Sequence, residues 1–214
     1  MAAAMSLTPF MHSPPLPQDI PLTMSELVLN GIKTERLHLR QWNDGDIDAI
    51  HSIMQDPNVN YYLQKYQLNL RPTIEAIAAK SELTLPEKGY GYFVCVHKET
   101  KAVISLMGLN YTEIEAQYFP CYTVSWVLKK DCWGKGYAKE AATALMEYGF
   151  NTLQIPEIFS CTTWNNKASE KVMQSLKMEY KTSFNFPGFE QDDIFCNHIL
   201  YVKNNPRNGR FNKC

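Results

Sequence analysis

The 214-residue chain predicts an α+β domain, a mixed and mostly antiparallel sheet flanked by about four helices, and three observations carry that prediction. Runs with two-residue periodicity alternate with runs of helical periodicity over most of the length. A glycine-rich turn, Trp133-Gly134-Lys135-Gly136-Tyr137-Ala138, joins one strand-like run to one helix-like run. The composition, 45% hydrophobic and 12% aromatic, is enough to bury a sizeable core, and the length favours one domain with tails.

Residues 1 to 30 carry prolines at 9, 14, 15, 17 and 21 and few periodic apolar positions, and are expected to form an extended or partly disordered arm. The domain is expected over 31 to 203. Arg36 to Trp42 reads as a strand with Leu37 and Leu39 on one face. Asp44 to Gln55 reads as a helix with Ile47, Ile50 and Met54 on a stripe, stopped by Pro57, and Pro72 to Glu82 as a second helix. Gly91 to His97, Ala102 to Tyr111 and Cys121 to Leu128 read as three antiparallel strands. In the third, Tyr122, Val124, Trp126 and Leu128 share one face and Thr123, Ser125 and Val127 the other. Tyr137 to Phe150 reads as a helix whose small residues Ala138, Ala141, Ala142 and Gly149, with Leu145, allow close packing on the sheet. Strand Glu157 to Thr163, helix Asn166 to Leu176 and strands Glu179 to Phe186 and Ile194 to Val202 complete the pattern. Asn204 to Cys214, with Pro206 and Gly209, reads as a loose tail.

The turn at 133 to 138 is the position best suited to chemistry. Paired glycines let backbone approach a ligand, and the unpaired N–H groups at the following helix start, with the helix dipole, favour an anion. The chain has no Gly-x4-Gly-Lys-Ser/Thr run, and Lys139 stands where a dinucleotide fingerprint needs its third glycine. A lone Gly-x-Gly is also compatible with a tight connection. A second segment about thirty residues on, Asn165-Asn166-Lys167-Ala168-Ser169-Glu170, adds specificity: Asn166 suits a helix N-cap, with Glu170 in the first turn.

Three segments in order carry a resemblance: Thr34-Glu35-Arg36-Leu37-His38-Leu39-Arg40, then Trp133-Gly134-Lys135-Gly136-Tyr137-Ala138-Lys139-Glu140-Ala141, then Asn166-x-x-Ser169. Together, over about Ile32 to Lys203, they resemble the GNAT superfamily of N-acetyltransferases, in the branch similar to bacterial RimJ/RimL ribosomal-protein acetyltransferases. The resemblance implies a sheet with a splayed strand pair, here Tyr122 to Leu128 and Glu157 to Thr163, acetyl-CoA as co-substrate, and direct transfer to a primary amine without a metal. It implies that main-chain atoms of Trp126, Val127 and Leu128 meet the pantetheine arm. Trp133, Gly134, Lys135, Gly136, Tyr137 and Ala138 are implied at the pyrophosphate, with Asn166 nearby. Ser169 is implied as proton donor to the departing thiolate, and equally reads as a solvated helix serine. Asp131, Met173 and Lys177-Met178 depart from the family pattern, which has Gln or Arg, Tyr, and Gly-Phe or Gly-Met there.

The acceptor is expected to be a protein or peptide N-terminus. The alternatives are a small-molecule amine such as a polyamine, amino sugar or antibiotic, and a CoA-binding module without turnover. Glu190, Asp192 and Asp193 read as a solvated acidic turn; the alternative gives Glu190 a catalytic role, recognising or deprotonating the amine. Tyr61, Tyr62 and Tyr66 read as core or as a wall of the acceptor pocket, and His198 as a packing residue.

A formal net charge of −1 carries no footprint of a nucleic-acid binder. The six cysteines show no C-x-x-C or zinc spacing and read as reduced core residues, and the scattered histidines make no metal cluster. No run reaches the length of a membrane helix, and the start has neither a basic region nor an apolar core, so a cytoplasmic protein with no membrane or nucleic-acid partner, a monomer or homodimer, is expected.

Overall fold

The computed structural model describes residues 30 to 207, so the expectations for 1 to 29 and 208 to 214 lie outside the described residues. Eight strands form one sheet: β1 (Ile32–Lys33), β2 (Leu37–Arg40), β3 (Gly91–His97), β4 (Val103–Thr112), β5 (Cys121–Leu128), β6 (Glu157–Thr163), β7 (Glu179–Asn185) and β8 (Asn197–Asn204). Their spatial order is β1-β2-β3-β4-β5-β6-β8-β7. Five helices accompany them: α1 (Asp46–Gln55), α2 (Pro57–Asn60), α3 (Arg71–Lys88), α4 (Tyr137–Asn151) and α5 (Lys167–Ser175).

Every neighbouring pair is antiparallel except β5 and β6. While β4 and β5 stay in register over eight residues, the parallel pair β5 and β6 meets only at Thr123 and Phe159. The sheet therefore splays beyond that rung, toward the C-terminal ends of both strands.

The two faces carry separate cores. Small residues of α4 (Ala138, Ala141, Ala142) and Val172 and Met173 of α5 pack with Val124, Trp126 and Leu128 on one face. A Cβ on Gly149 would lie 2.9 Å from Ile158 Cδ1, so a larger residue there would have to displace that side chain where α4 packs on β6. Ile50, Ile53 and Met54 of α1 and Ile74, Ile77 and Ala78 of α3 cover the other face, with Val94, Leu106 and Val127. The alternation expected along 122 to 128 is thus the observed division.

Helix α3 runs six residues past its expected end despite Pro86, because Ser81 and Leu85 continue the buried stripe of Ile74, Ile77 and Ala78. It stops at Gly89, whose φ of 72° makes the C-cap. The last strand starts at Asn197 instead of Ile194. Phe195 N–H donates to Asp193 Oδ1 and Cys196 N–H to Asp193 O, which folds 193 to 196 into turns. Its other end passes residue 203: Asn205 is buried and its amide donates to Phe150 O and Ile155 O at 3.0 Å each, so the ordered domain includes the first residues of the expected tail.

Candidate active site

Both glycines of the turn hold left-handed backbone, Gly134 at φ 76° and Gly136 at φ 80°. That conformation, more than crowding, demands glycine: a Cβ on Gly134 meets nothing within 4 Å, and one on Gly136 meets only Arg36 Nη2 at 3.5 Å. Gly136 is the N-cap of α4 and no side chain caps the first turn. The N–H groups of that turn have no intrahelical partner, and they open onto a cavity of about 290 Å³. Its walls come from Leu128, Gly134, Gly136, Tyr137 and Ala138 on one side and Ala168, Lys171, Val172 and Ser175 of α5 on the other, with Lys139 and Cys132 between. Glycine backbone, an uncapped helix start and two lysines fit the diphosphate of coenzyme A. Asp131, which stands close in sequence, is turned to solvent with its side chain 81% exposed, so it adds no negative charge to the cavity wall.

A clamp formed by the segments 34 to 40 and 133 to 141, whose pairing is invisible in either alone, holds this turn. Glu140 accepts from Thr34 Oγ1 (2.5 Å), Arg36 N–H (2.8 Å) and Arg36 Nε (2.7 Å), and pairs with Arg36 Nη2 at 2.6 Å. The same guanidinium donates Nη1 to Lys135 O at 3.0 Å and lies over the Tyr137 ring. Burial pushes the Glu140 carboxyl up, but hydrogen bonds from Thr34 and Arg36 and the Arg36 charge outweigh it and hold the group below the usual carboxylate range. Lys135, expected as a ligand contact, thus has its carbonyl committed to Arg36. Trp133 plays a comparable part, its indole donating to Leu128 O at 2.8 Å.

The backbone of β5 sorts the expected pantetheine partners. Val127 O accepts from Ser105 Oγ at 2.7 Å and Lys129 N–H donates to Ile104 O at 2.8 Å, so residues 127 and 129 turn their polar groups to β4. By alternation Trp126 and Leu128 turn theirs to the splay. Val127 is therefore corrected: its main chain belongs to the β4 ladder and is unavailable to an arm lying between β5 and β6. With Leu128 O taken by Trp133, the splay is offered the N–H of Leu128 and both groups of Trp126.

At the start of α5, Asn166 Oδ1 accepts from Ser169 N–H at 3.2 Å, the N-cap that the sequence suggested. Asn166, Ser169 and Met173 are all wholly buried, so Ser169 is not a solvated helix serine. Neither Asn166 nor Ser169 belongs to the wall of the 290 Å³ cavity, which α5 lines through residues 168, 171, 172 and 175. Lys177 adopts φ 57°, making without glycine the turn that follows the helix.

The opposite face of the splay holds groups that sequence reasoning did not combine. His198 pairs with Thr163 across β6 and β8 and is wholly buried, and Nε2 lies 2.5 Å from Tyr66 Oη. Its Nδ1 lies 3.0 Å from Cys196 O, an acceptor only. Nδ1 therefore carries the proton, Nε2 accepts, and the tyrosine donates. Burial lowers the His198 pKa to about 4 and raises that of Tyr66, so both are neutral near pH 7. Phe184, Phe186 and Phe189 surround the pair. Tyr61 and Tyr62 pack their edges on Phe195. Of the acidic turn, Asp193 is ion-paired with Lys65 at 2.6 Å, while Glu190 is exposed. No local signal links residues 65 and 66 to 193 and 198; only the fold does. Among the described residues, no three His, Cys, Asp or Glu gather where they could hold a metal.

The model of the acetyltransferase (GNAT) domain matches residues 36 to 179. The uncharacterized N-acetyltransferase p20 of Bacillus licheniformis is 30% identical over 152 residues, 68% of this chain and 80% of that protein. The fold is shared with RimL, a ribosomal alpha-N-protein acetyltransferase in complex with coenzyme A (TM-score 0.64, 14% identity, 80% of this chain and 95% of that one). It is shared also with a chimera of the spermidine N-acetyltransferase SpeG from Vibrio cholerae and hSSAT (TM-score 0.60, 16% identity, 80% and 96%).

Proposed function

The chain belongs to the GNAT acetyltransferase family and is an acyl-CoA-dependent N-acetyltransferase with acetyl-CoA as co-substrate, and from that premise we propose that its acceptor is the α-amino group of a protein or peptide. The observation that carries this reading is the Lys65–Asp193 pair. The Asp193 carboxylate is already paired with Lys65, so it is not free to meet a polycation on the acceptor side. Its rim instead exposes Tyr61, Trp164 and Ile194, apolar surface suited to the residues that follow a peptide N-terminus. Neighbours of this fold act on proteins and on a polyamine, so the fold itself does not choose.

Acetyl-CoA supplies an activated thioester, with its diphosphate on the first turn of α4 and its arm in the splay. The N–H groups of Trp126 and Leu128 are the donors placed to hold charge developing on the thioester oxygen. Ser169 is assigned the proton for the departing sulfur. An α-amine with a pKa near 8 must lose a proton before attack, and Glu190 on the open rim receives it through solvent. Tyr66 and His198 wall the acceptor side as a neutral pair.

The test is turnover of acetyl-CoA with a panel of short peptides bearing free Ser, Ala or Met N-termini, the same peptides N-blocked but containing lysine, spermidine and glucosamine, read by mass spectrometry. Acetylation of free N-termini is expected, with the blocked peptides and spermidine far slower. Preference for spermidine or glucosamine would overturn the acceptor assignment, and absence of any product would favour a CoA-binding module.

A further inference from the structure

Two buried polar side chains on the parting strands have no hydrogen-bond partner among the described residues. Trp126 is wholly buried and its indole N–H makes no hydrogen bond; Ser160 is wholly buried and its hydroxyl makes none. The other interior indoles behave otherwise, Trp42 donating to Tyr92 O at 3.0 Å and Trp133 to Leu128 O at 2.8 Å. Buried donors are ordinarily paired, and an unmet one is costly, so one on each of the two parting strands calls for an explanation.

Their placement offers one. Trp126 sits on β5 opposite Met107, and Ser160 on β6 opposite Tyr201; Met107, Tyr201 and Trp126 all belong to the core under α4 and α5. Residues directly opposed on neighbouring strands share a face, so both side chains lie on that same face. They belong to the two strands that part beyond Thr123 and Phe159, and each lies past that rung. On β5, moreover, the main chain of Trp126 already turns to the gap. Indole and hydroxyl therefore stand on the two parting strands, on the sheet face that α4 and α5 cover.

We infer that the Trp126 indole N–H and the Ser160 hydroxyl are hydrogen-bonding partners of the acyl-pantetheine arm, with Trp126 donating to one of its carbonyl oxygens. The inference rests on acetyl-CoA being the co-substrate and deepens that reading: it assigns side chains, where only main-chain contacts were expected, and places a residue of β6 in the site. The arm carries two amides and a thioester, so it presents the carbonyls the indole lacks and both donors and acceptors for the hydroxyl.

Calorimetry on the full chain tests this with two probes, acetyl-CoA and adenosine 3′,5′-bisphosphate, which has no pantetheine. Ser160→Ala and replacement of Trp126 by 3-benzothienylalanine, which keeps the ring shape and removes the N–H, are each expected to raise Kd for acetyl-CoA about three- to ten-fold. The bisphosphate affinity should stay unchanged, and the ligand-free Tm should hold or rise, because an unmet donor has been removed. Acetyl-CoA affinity within about two-fold of the parent in both variants would overturn the inference, since the groups would then have an internal partner such as a buried water. An equal loss for both probes would also overturn it, as general damage. Failure of the parent itself to bind acetyl-CoA would instead remove the functional reading on which the inference stands.

Discussion

Glu140→Ala is expected to damage both the fold and the cofactor turn, because Glu140 is the single acceptor on which Thr34 and Arg36 converge. Removing it deletes three hydrogen bonds, two of them to the Arg36 residue, and strands a guanidinium. A hydrogen bond to a charged group contributes about 1.5–3 kcal/mol, but the Arg36 side chain is 39% exposed and can recover water, so the net loss is discounted to about 2 kcal/mol. For a domain of this size that is a fall in Tm of about 4–8 °C. Glu140→Gln keeps an acceptor for Thr34 and the Arg36 backbone and should lose roughly half as much. Arg36, no longer held by the carboxylate, should also loosen its grip on Lys135 O, and Kd for acetyl-CoA should rise about three- to ten-fold. The folded-state pKa of Glu140 is depressed, so its contribution is present above the unfolded carboxylate pKa near 4.5 and is lost as pH falls through the folded value. Thermal scans and calorimetry read both effects; a Tm within about 2 °C of the parent with unchanged Kd would refute the clamp.

Three further outcomes are expected. Gly136→Val forces a β-branched residue to φ 80° at the N-cap of α4, and CoA binding should be severely weakened; calorimetry showing parental affinity would remove the diphosphate from this turn. Ser169→Ala should lower kcat roughly a hundred-fold or more with CoA affinity nearly constant, whereas Asn166→Ala should cost about 1 kcal/mol as a lost cap; unchanged kcat in Ser169→Ala, with chemistry rate-limiting, would give the proton to solvent. His198, with a folded pKa of about 4 against 6.5, binds fewer protons folded than unfolded between those values, so its contribution is complete above pH 6.5 and falls by about 3 kcal/mol toward pH 4. His198→Phe should flatten that part of the stability profile, and a profile identical to the parent's would contradict the buried neutral imidazole.

Much of the domain was legible because its signals are local. The two-residue period of 122 to 128 and the small-residue face of α4 declare which sides are buried, and the glycines at 134 and 136 declare a backbone few other residues adopt. Element ends were less legible where a tertiary contact decides them: Ser81 and Leu85 carry α3 past Glu82, and Asp193 folds back residues that look like strand. At the site, the left-handed glycine turn proposed to receive the diphosphate lies in one stretch of chain, so its backbone was readable, as was the Asn166 cap. Val127 was misjudged because facing a splay is a property of hydrogen-bond parity, which residue type does not report. The Thr34–Arg36–Glu140 clamp and the Tyr66–His198 pair join residues more than a hundred positions apart, and no periodicity reaches that far.

A crystal structure of the protein with acetyl-CoA tests the central claim most directly. The account predicts the diphosphate on the N–H groups of residues 137 to 139, between α4 and Lys171 of α5, and the pantetheine arm in the gap between β5 and β6 beside Trp126 and Leu128. Density for the cofactor elsewhere, or an arm that does not enter that gap, would contradict it.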